Sequence, residues 1–232
     1  MAIVSCHVWD VSRQEAFAVQ SELAKRVERE PRLAPVRRVA GVDMSVHDDV
    51  GRAAVVVLDL KGLAPLDYAI ATRPVTFPYV PGLLAFREGP AVLDALEKLS
   101  AKPDLLVFDG QGLAHPRRLG IASHIGLLVD MPAIGCAKSL LCGWHDEPGQ
   151  EAGSYAPVFD RGEVIGAALR TRRGTKPVYV SIGHRVDLPT SINYVLACCR
   201  GYRLPETTRW AHRVAGGEIP PMQVRQPTLF DL

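Results

Sequence analysis

Three acids stand where a carboxylate can do chemistry. Asp43 follows the apolar run Val39-Ala40-Gly41-Val42, and Asp109 closes Leu105-Leu106-Val107-Phe108 and is followed at once by Gly110. An acid at the C-terminal end of a buried strand usually lines a crevice in an α/β sheet. Glu88 lies near the start of the helix expected between them. If the strands leading to Asp43 and Asp109 are neighbours, their carboxylates face each other and repel unless a proton or a cation neutralises them. A hard divalent cation answers that need. Magnesium suits a site with few carboxylates that leaves places for water and phosphate oxygens. Each acid also has a plainer reading as a turn residue or helix cap, Glu88 as a first-turn acid facing the helix dipole. Taken together, the three point to a metal-dependent hydrolase, with phosphodiesters among its candidate substrates.

The elements that must position these acids follow from periodicity. Ser12 to Glu15 fits a capping box, and Phe17, Leu23, Ala24 and Val27 continue a helical stripe to about Arg29. Strands are expected over Val36–Val42, Arg52–Leu60 and Asp67–Thr72, with turns at Gly51 and Gly62. Their short connections predict an antiparallel meander. Residues 83–99 read as a helix whose proper start is at Pro90. A strand over Leu105–Phe108, a helix over 116–128 and a strand over Pro132–Cys136 complete a βαβαβ alternation, which implies parallel pairing. A hairpin is expected at Asp160-Arg161-Gly162, and helices around 189–200 and 205–215. The result is an α/β fold, one mixed sheet with helices on its faces. A single domain is expected over residues 1–219, followed by a tail over 220–232.

Composition narrows the class. The 232 residues are 47% hydrophobic and 22% charged, enough to bury a large core. The 27 basic and 25 acidic residues nearly cancel. A polyanionic partner would therefore need basic residues gathered on one face, and arginines do crowd between Arg161 and Arg213. Five cysteines without a Cys-x-x-Cys pair argue against a disulfide framework or a zinc site. No stretch approaches the roughly 18 apolar residues of a membrane span, so the protein is read as soluble, cytoplasmic, without a membrane partner and monomeric.

Several segments are recognisable as motifs: Val39 to Asp43, Phe77-Pro78-Tyr79-Val80-Pro81-Gly82-Leu83-Leu84-Ala85-Phe86-Arg87-Glu88, Asp109-Gly110-Gln111-Gly112-Leu113-Ala114-His115-Pro116-Arg117, and Gly135-Cys136-Ala137-Lys138-Ser139. In this order they resemble the endonuclease V family, over about residues 36 to 215. The resemblance implies a ribonuclease-H-like fold, in keeping with the strand count. It also implies cleavage at the second phosphodiester bond 3′ to deoxyinosine and related deaminated bases in DNA, leaving a 3′-hydroxyl and a 5′-phosphate. Inosine-containing RNA is a further substrate within the family.

Residue roles carry over from the resemblance. Asp43, Glu88 and Asp109 fall on the metal-binding acids, for Mg2+ with Mn2+ as a substitute. Lys138 and His212 fall on an active-site lysine and histidine. Pro78, Tyr79, Val80 and Pro81 fall on a strand-separating wedge with Tyr79 at its tip. Gly82, Leu84, Gly110, Gly112, Ile121 and Gly135 fall near the pocket for the displaced base. Two roles are open to Lys138, orienting the attacking water or only positioning a phosphate. Two are likewise open to His212, protonating the leaving 3′-oxygen or holding a water. His115-Pro116 and Arg117-Arg118 are expected to open a helix whose free N–H groups could hold a phosphate.

Two other functions compete. One is another ribonuclease-H-like nuclease, such as a resolvase or ribonuclease H. The other is a catalytically inactive nucleic-acid-binding module, which would have no need of three converging acids. The tail adds a separate expectation. Gln226, Leu229 and Phe230 resemble the Gln-x-x-Leu-Phe peptide that bacterial repair proteins dock into the sliding clamp, with a terminal apolar patch folded onto the domain as the alternative.

Overall fold

The computed structural model describes residues 6–222, so the expected clamp peptide at Gln226, Leu229 and Phe230 lies outside the described residues. Helix α1 (Arg13–Ala24) begins on the predicted capping box: Glu15 N–H donates to Ser12 Oγ, and Ser12 N–H donates to the Glu15 carboxylate. It stops five residues before the expected Arg29. Strands β1 (Arg38–His47), β2 (Val50–Asp59) and β3 (Pro65–Pro74) form the predicted antiparallel meander. The β1–β2 turn falls on Asp48 and Asp49 rather than Gly51. Both have φ near +50°, the backbone of a tight two-residue hairpin. With β2 paired along its whole length, β1 runs five residues past Val42, and Asp43 lies inside the strand.

Helix α2 (Leu84–Glu97) passes through Pro90 without interruption instead of starting there. Gly89 precedes the proline and has no Cβ to clash with its ring, so the helical conformation survives at the cost of one hydrogen bond. After β4 (Leu105–Phe108), helix α3 (Ile121–Leu128) starts five residues later than expected. The His115–Leu119 segment is a turn, with Arg118 at φ +57°. Strand β5 (Ala133–Ala137) follows, and β6 (Tyr155–Asp160) and β7 (Glu163–Leu169) make the predicted hairpin. Strand β8 (Val178–His184) and helices α4 (Leu188–Ala197) and α5 (Glu206–Ala215) complete the fold.

The eight strands among the described residues form one sheet in the order β3-β2-β1-β4-β5-β8-β7-β6. Only β1, β4 and β5 are parallel neighbours, and they occupy the centre. Val55, Val56, Val57 and Leu58 of β2 are buried on both faces, as their unbroken apolar run predicts. Helices α2 and α3 cover one face with Val42, Val55 and Phe108, and α4 and α5 cover the other with Val39, Val56 and Val107. Alternation along β1 places Asp43 on the α5 face with Val39 and Gly41. The α5 backbone approaches that face so closely that a Cβ on Gly41 would lie 1.9 Å from the Thr207 carbonyl oxygen.

Gly41→Ala therefore drives α5 off the sheet. The expected loss is at least the roughly 1–3 kcal/mol typical of overpacking, read as a lower urea midpoint. An unchanged midpoint would show that the helix can shift freely.

Candidate active site

The parallel centre of the sheet sets the site. Asp43 on β1, Asp109 just after β4 and Lys138 just after β5 come from three adjacent strands and meet at one end. Asp109 N–H donates to the Val42 carbonyl at 3.0 Å, which locks the two aspartates into register. The Lys138 ammonium lies 2.5 Å from Asp109 Oδ2. That oxygen is buried and has no partner in good hydrogen-bond geometry, so the contact is a charge pairing. From α5, His212 Nδ1 reaches Asp43 Oδ2 at 2.9 Å, and Met44 N–H donates to Asp43 Oδ1. One ligand atom each from Asp43, Asp109 and His212 lies within 4.8 Å of the others.

Glu88 approaches from α2 and stands outside that tightest group, yet it shares its field. Its carboxyl is pushed up to about 8, first by burial and then by the charges of Asp43 and Asp109. The Asp43 carboxyl is also raised, by burial first and by Asp109 second, with His212 and Lys138 opposing. Carboxyls that hold protons this strongly lack positive charge. A buried, unbonded carboxylate oxygen on Asp109 and a histidine nitrogen nearby complete a donor set that fits a divalent cation.

Beside these groups lies a cavity of about 280 Å3. Of the residues singled out from sequence, Tyr79, Val80, Pro81, Gly82, Leu84, Gly110 and Ile121 line it, together with Asp109 and Lys138. Gly112 and Gly135 do not. They sit one layer behind, where a Cβ on Gly112 would lie 2.0 Å from the Ile182 carbonyl oxygen; their smallness serves backbone packing. Pro78 also lies off the cavity wall, next to Thr76 and Phe77 at a smaller hollow. Tyr79 is 70% exposed, so it is not packed inward.

The loop carrying Tyr79 is held at its base by a polar hub. The Gly82 carbonyl accepts from Gln20 Nε2 at 2.9 Å, His115 Nε2 at 2.8 Å and Arg117 at 3.0 Å. Arg117 also donates to Gln20 Oε1. Burial pushes His115 down to about 4, so it stays neutral, with Nε2 protonated toward Gly82 and Nδ1 accepting from Arg117 N–H. Arg118 is spent on Glu163 and Asp160. The expected phosphate site at Arg117-Arg118 is thus replaced by a structural clamp. Gln20 had a readable signal: it interrupts the apolar stripe of α1 between Ala16 and Leu23, both buried.

Acids converging from within β1 and just past β4 on a mixed sheet of this order define a ribonuclease-H-like nuclease. Comparison with known proteins makes that specific. The family model for endonuclease V matches residues 21–213. An endonuclease V from Roseiflexus sp. is 57% identical, covering 91% of this chain and 96% of the relative. The crystal structure of endonuclease V from Streptomyces avermitilis is similar at a TM-score of 0.86 and 46% identity, covering 93% of this chain and 96% of that one. The endonuclease V of Ciona intestinalis, solved in complex with a 24mer DNA containing an inosine followed by a ribo-adenosine, matches at a TM-score of 0.77 and 27% identity, over 88% of this chain and 95% of that one. The chain belongs to the endonuclease V family, a family of metal-dependent nucleases.

The raised Glu88 carboxyl has a measurable sign. Folded and metal-free, it keeps its proton up to about pH 8, whereas the unfolded chain releases it near the ordinary 4.5. The folded state binds more protons across that window, so stability falls as pH rises through it and levels off above. Every tenfold difference in proton affinity between the two states corresponds to about 1.4 kcal/mol. Melting temperatures in EDTA should therefore decline between those values. Glu88→Gln or added divalent cation should flatten the decline; a flat wild-type profile would contradict the placement of Glu88.

Proposed function

We propose that this chain is a DNA repair endonuclease that recognises inosine in DNA and hydrolyses the second phosphodiester bond on its 3′ side, leaving a 3′-hydroxyl and a 5′-phosphate. One observation carries the reading. The cavity able to take a displaced base shares Asp109 and Lys138 with the acid cluster, so a strand with its base in the cavity has its backbone at the acids. The relative from Ciona intestinalis with inosine-containing DNA supports the choice of base.

Asp43, Glu88 and Asp109 are the residues that would hold the metal, with His212 beside Asp43. Mg2+ is the expected ion and Mn2+ its substitute. Such a cation supplies positive charge to phosphoryl oxygens during in-line displacement. The chain's own groups do the rest. Lys138 extends from β5 with its ammonium at Asp109, a positive point charge where a phosphate must approach two carboxylates. It thereby offsets their repulsion of the substrate and positions the phosphate. His212 in its neutral form donates from Nδ1 to Asp43, which leaves Nε2 as the acceptor on a side chain that is 65% exposed. It is poised to hold a water or a proton near the reacting oxygens. Tyr79, at the exposed tip between Pro78 and Val80, offers a flat face to replace the stacking lost when a base leaves the duplex.

The reading is tested with oligonucleotides that carry inosine, adenine or guanine at one position. Inosine-dependent nicking in Mg2+ is expected, and Asp109→Ala or Asp43→Ala should abolish it while circular dichroism stays native. Nicking indifferent to inosine would refute the base assignment, and an active Asp109→Ala enzyme would remove that acid from the catalytic set.

Tyr79→Ala should weaken binding to inosine in duplex DNA by about 1–3 kcal/mol, the scale of aromatic–base stacking. Binding to the same inosine in a single strand should suffer less, because its base is already free. Equal losses on the two substrates would show that Tyr79 does not act as a wedge.

A further inference from the structure

Lys138, Ser139 and Leu140 are a shared wall. On one side is the cavity beside the acids, and on the other is a second cleft of about 550 Å3. Arg203, Lys176, His145 and Tyr179 line this second cleft. Its charge is unbalanced. Among the described residues that line it, Glu147 is the one carboxylate, and it is taken by the buried Arg170. Lys138 is taken by Asp109. The Arg203 guanidinium donates to three backbone carbonyls, those of Lys138 at 2.6 Å, Pro177 at 2.8 Å and Lys176 at 2.9 Å. Neutral carbonyls satisfy its N–H groups but do not cancel its charge. Lys176 is exposed at the rim of the cleft. His145 and Tyr179 stand ring to ring, 5.5 Å apart, and give the cleft an aromatic side.

We propose that this cleft binds the phosphodiester backbone of the substrate strand just 3′ of the scissile bond. The assignment rests on the function proposed above, and the direction follows from order along the groove. A base in the first cavity lies on the 5′ side of a phosphate held at Asp109 and Lys138. The strand then continues past the Lys138–Leu140 wall, and the cleft beyond it is where the next nucleotides arrive. Uncompensated Arg203 and Lys176 face their phosphates, and the His145–Tyr179 side lies against sugar and base. Arg203 has a second effect. By gripping the Lys138 carbonyl it ties the position of the active-site lysine to the floor of the cleft. The same cleft then holds the 5′-phosphate end of the downstream product.

The test uses the full chain in EDTA, where binding proceeds without cleavage. Fluorescence anisotropy is measured against salt for a single strand with one inosine and a long 3′ extension. Removing one phosphate contact lowers the slope of log affinity against log salt by about 0.7 for a single strand. Lys176→Gln should show that reduction, with severalfold weaker binding at low salt, and Lys176→Arg should restore it. Lys102→Gln removes a lysine at the opposite end of the strands and should leave the slope unchanged. On an oligonucleotide ending one nucleotide past the scissile bond, wild type should already show the lower slope and Lys176→Gln should change nothing further. Equal slopes for wild type and Lys176→Gln on the long strand would overturn the proposal. So would a Lys176→Gln effect that persists on the truncated strand, because the contact would then lie elsewhere, on the 5′ side. Inosine-dependent nicking by wild type is followed in parallel in Mg2+. If nicking is intact while the slopes are equal, the cleft assignment alone fails. If there is no nicking, both readings fail.

Discussion

Like charges brought together at one end of a sheet are the constraint around which the molecule is arranged. Asp43 and Asp109 are held in register by a backbone hydrogen bond between adjacent parallel strands, so neither can retreat from the other. Glu88 adds a third carboxyl from the opposite layer, and burial first, with the two aspartates second, holds its proton up to about pH 8. The surroundings answer from two sides, with the Lys138 ammonium from the next parallel strand and a His212 ring nitrogen from the helix packed on the same face. The close approach of α5 at Gly41 is part of this arrangement, since it brings His212 within reach of Asp43. A sheet built for stability alone would place an apolar side chain at either position. The repulsion between these carboxylates is what a divalent cation would relieve.

Much of this could be read in the sequence because periodicity speaks clearly about strands. The run from Val55 to Leu58 is apolar on both faces because helices cover both, and Leu105–Phe108 is apolar throughout because it lies at the centre of the sheet, buried on both faces. The acids were visible for the same reason, as polar residues ending apolar runs. Boundaries were harder. The Asp48-Asp49 turn competes with a nearby glycine for the same role, and strand pairing, which no local pattern shows, carried β1 beyond Val42. Helix α3 starts late because side chains, rather than backbone propensity, fix the turn before it.

The site was legible in its charged members and illegible in its supports. Gln20, His115 and Arg117 converge on one carbonyl from α1 and from the segment before α3, and that convergence exists only in three dimensions. Glycines raise the opposite difficulty. Gly82, Gly112 and Gly135 look alike in sequence, yet only Gly82 borders the cavity, while the other two allow backbones to touch behind it. The endonuclease V motifs gather around one cavity and one acid cluster, and packing decides which residue of a motif lines the cavity and which lies behind it.

The triple grip on the Gly82 carbonyl has a consequence for how work is divided between protein and nucleic acid. A loop anchored by three donors and stiffened by Pro78 and Pro81 has little compliance, so in the wedge role proposed for Tyr79 the loop would not fold around an intact helix. On that proposal the deformation would be borne by the duplex. Discrimination would then arise partly from the mechanical weakness of the lesion: a pair that breathes open often would meet a tip already in place, and a well-stacked pair rarely would. A stiff protein in that setting would work as a gauge of local helix softness, reading how readily each step yields before any atom of the base is inspected.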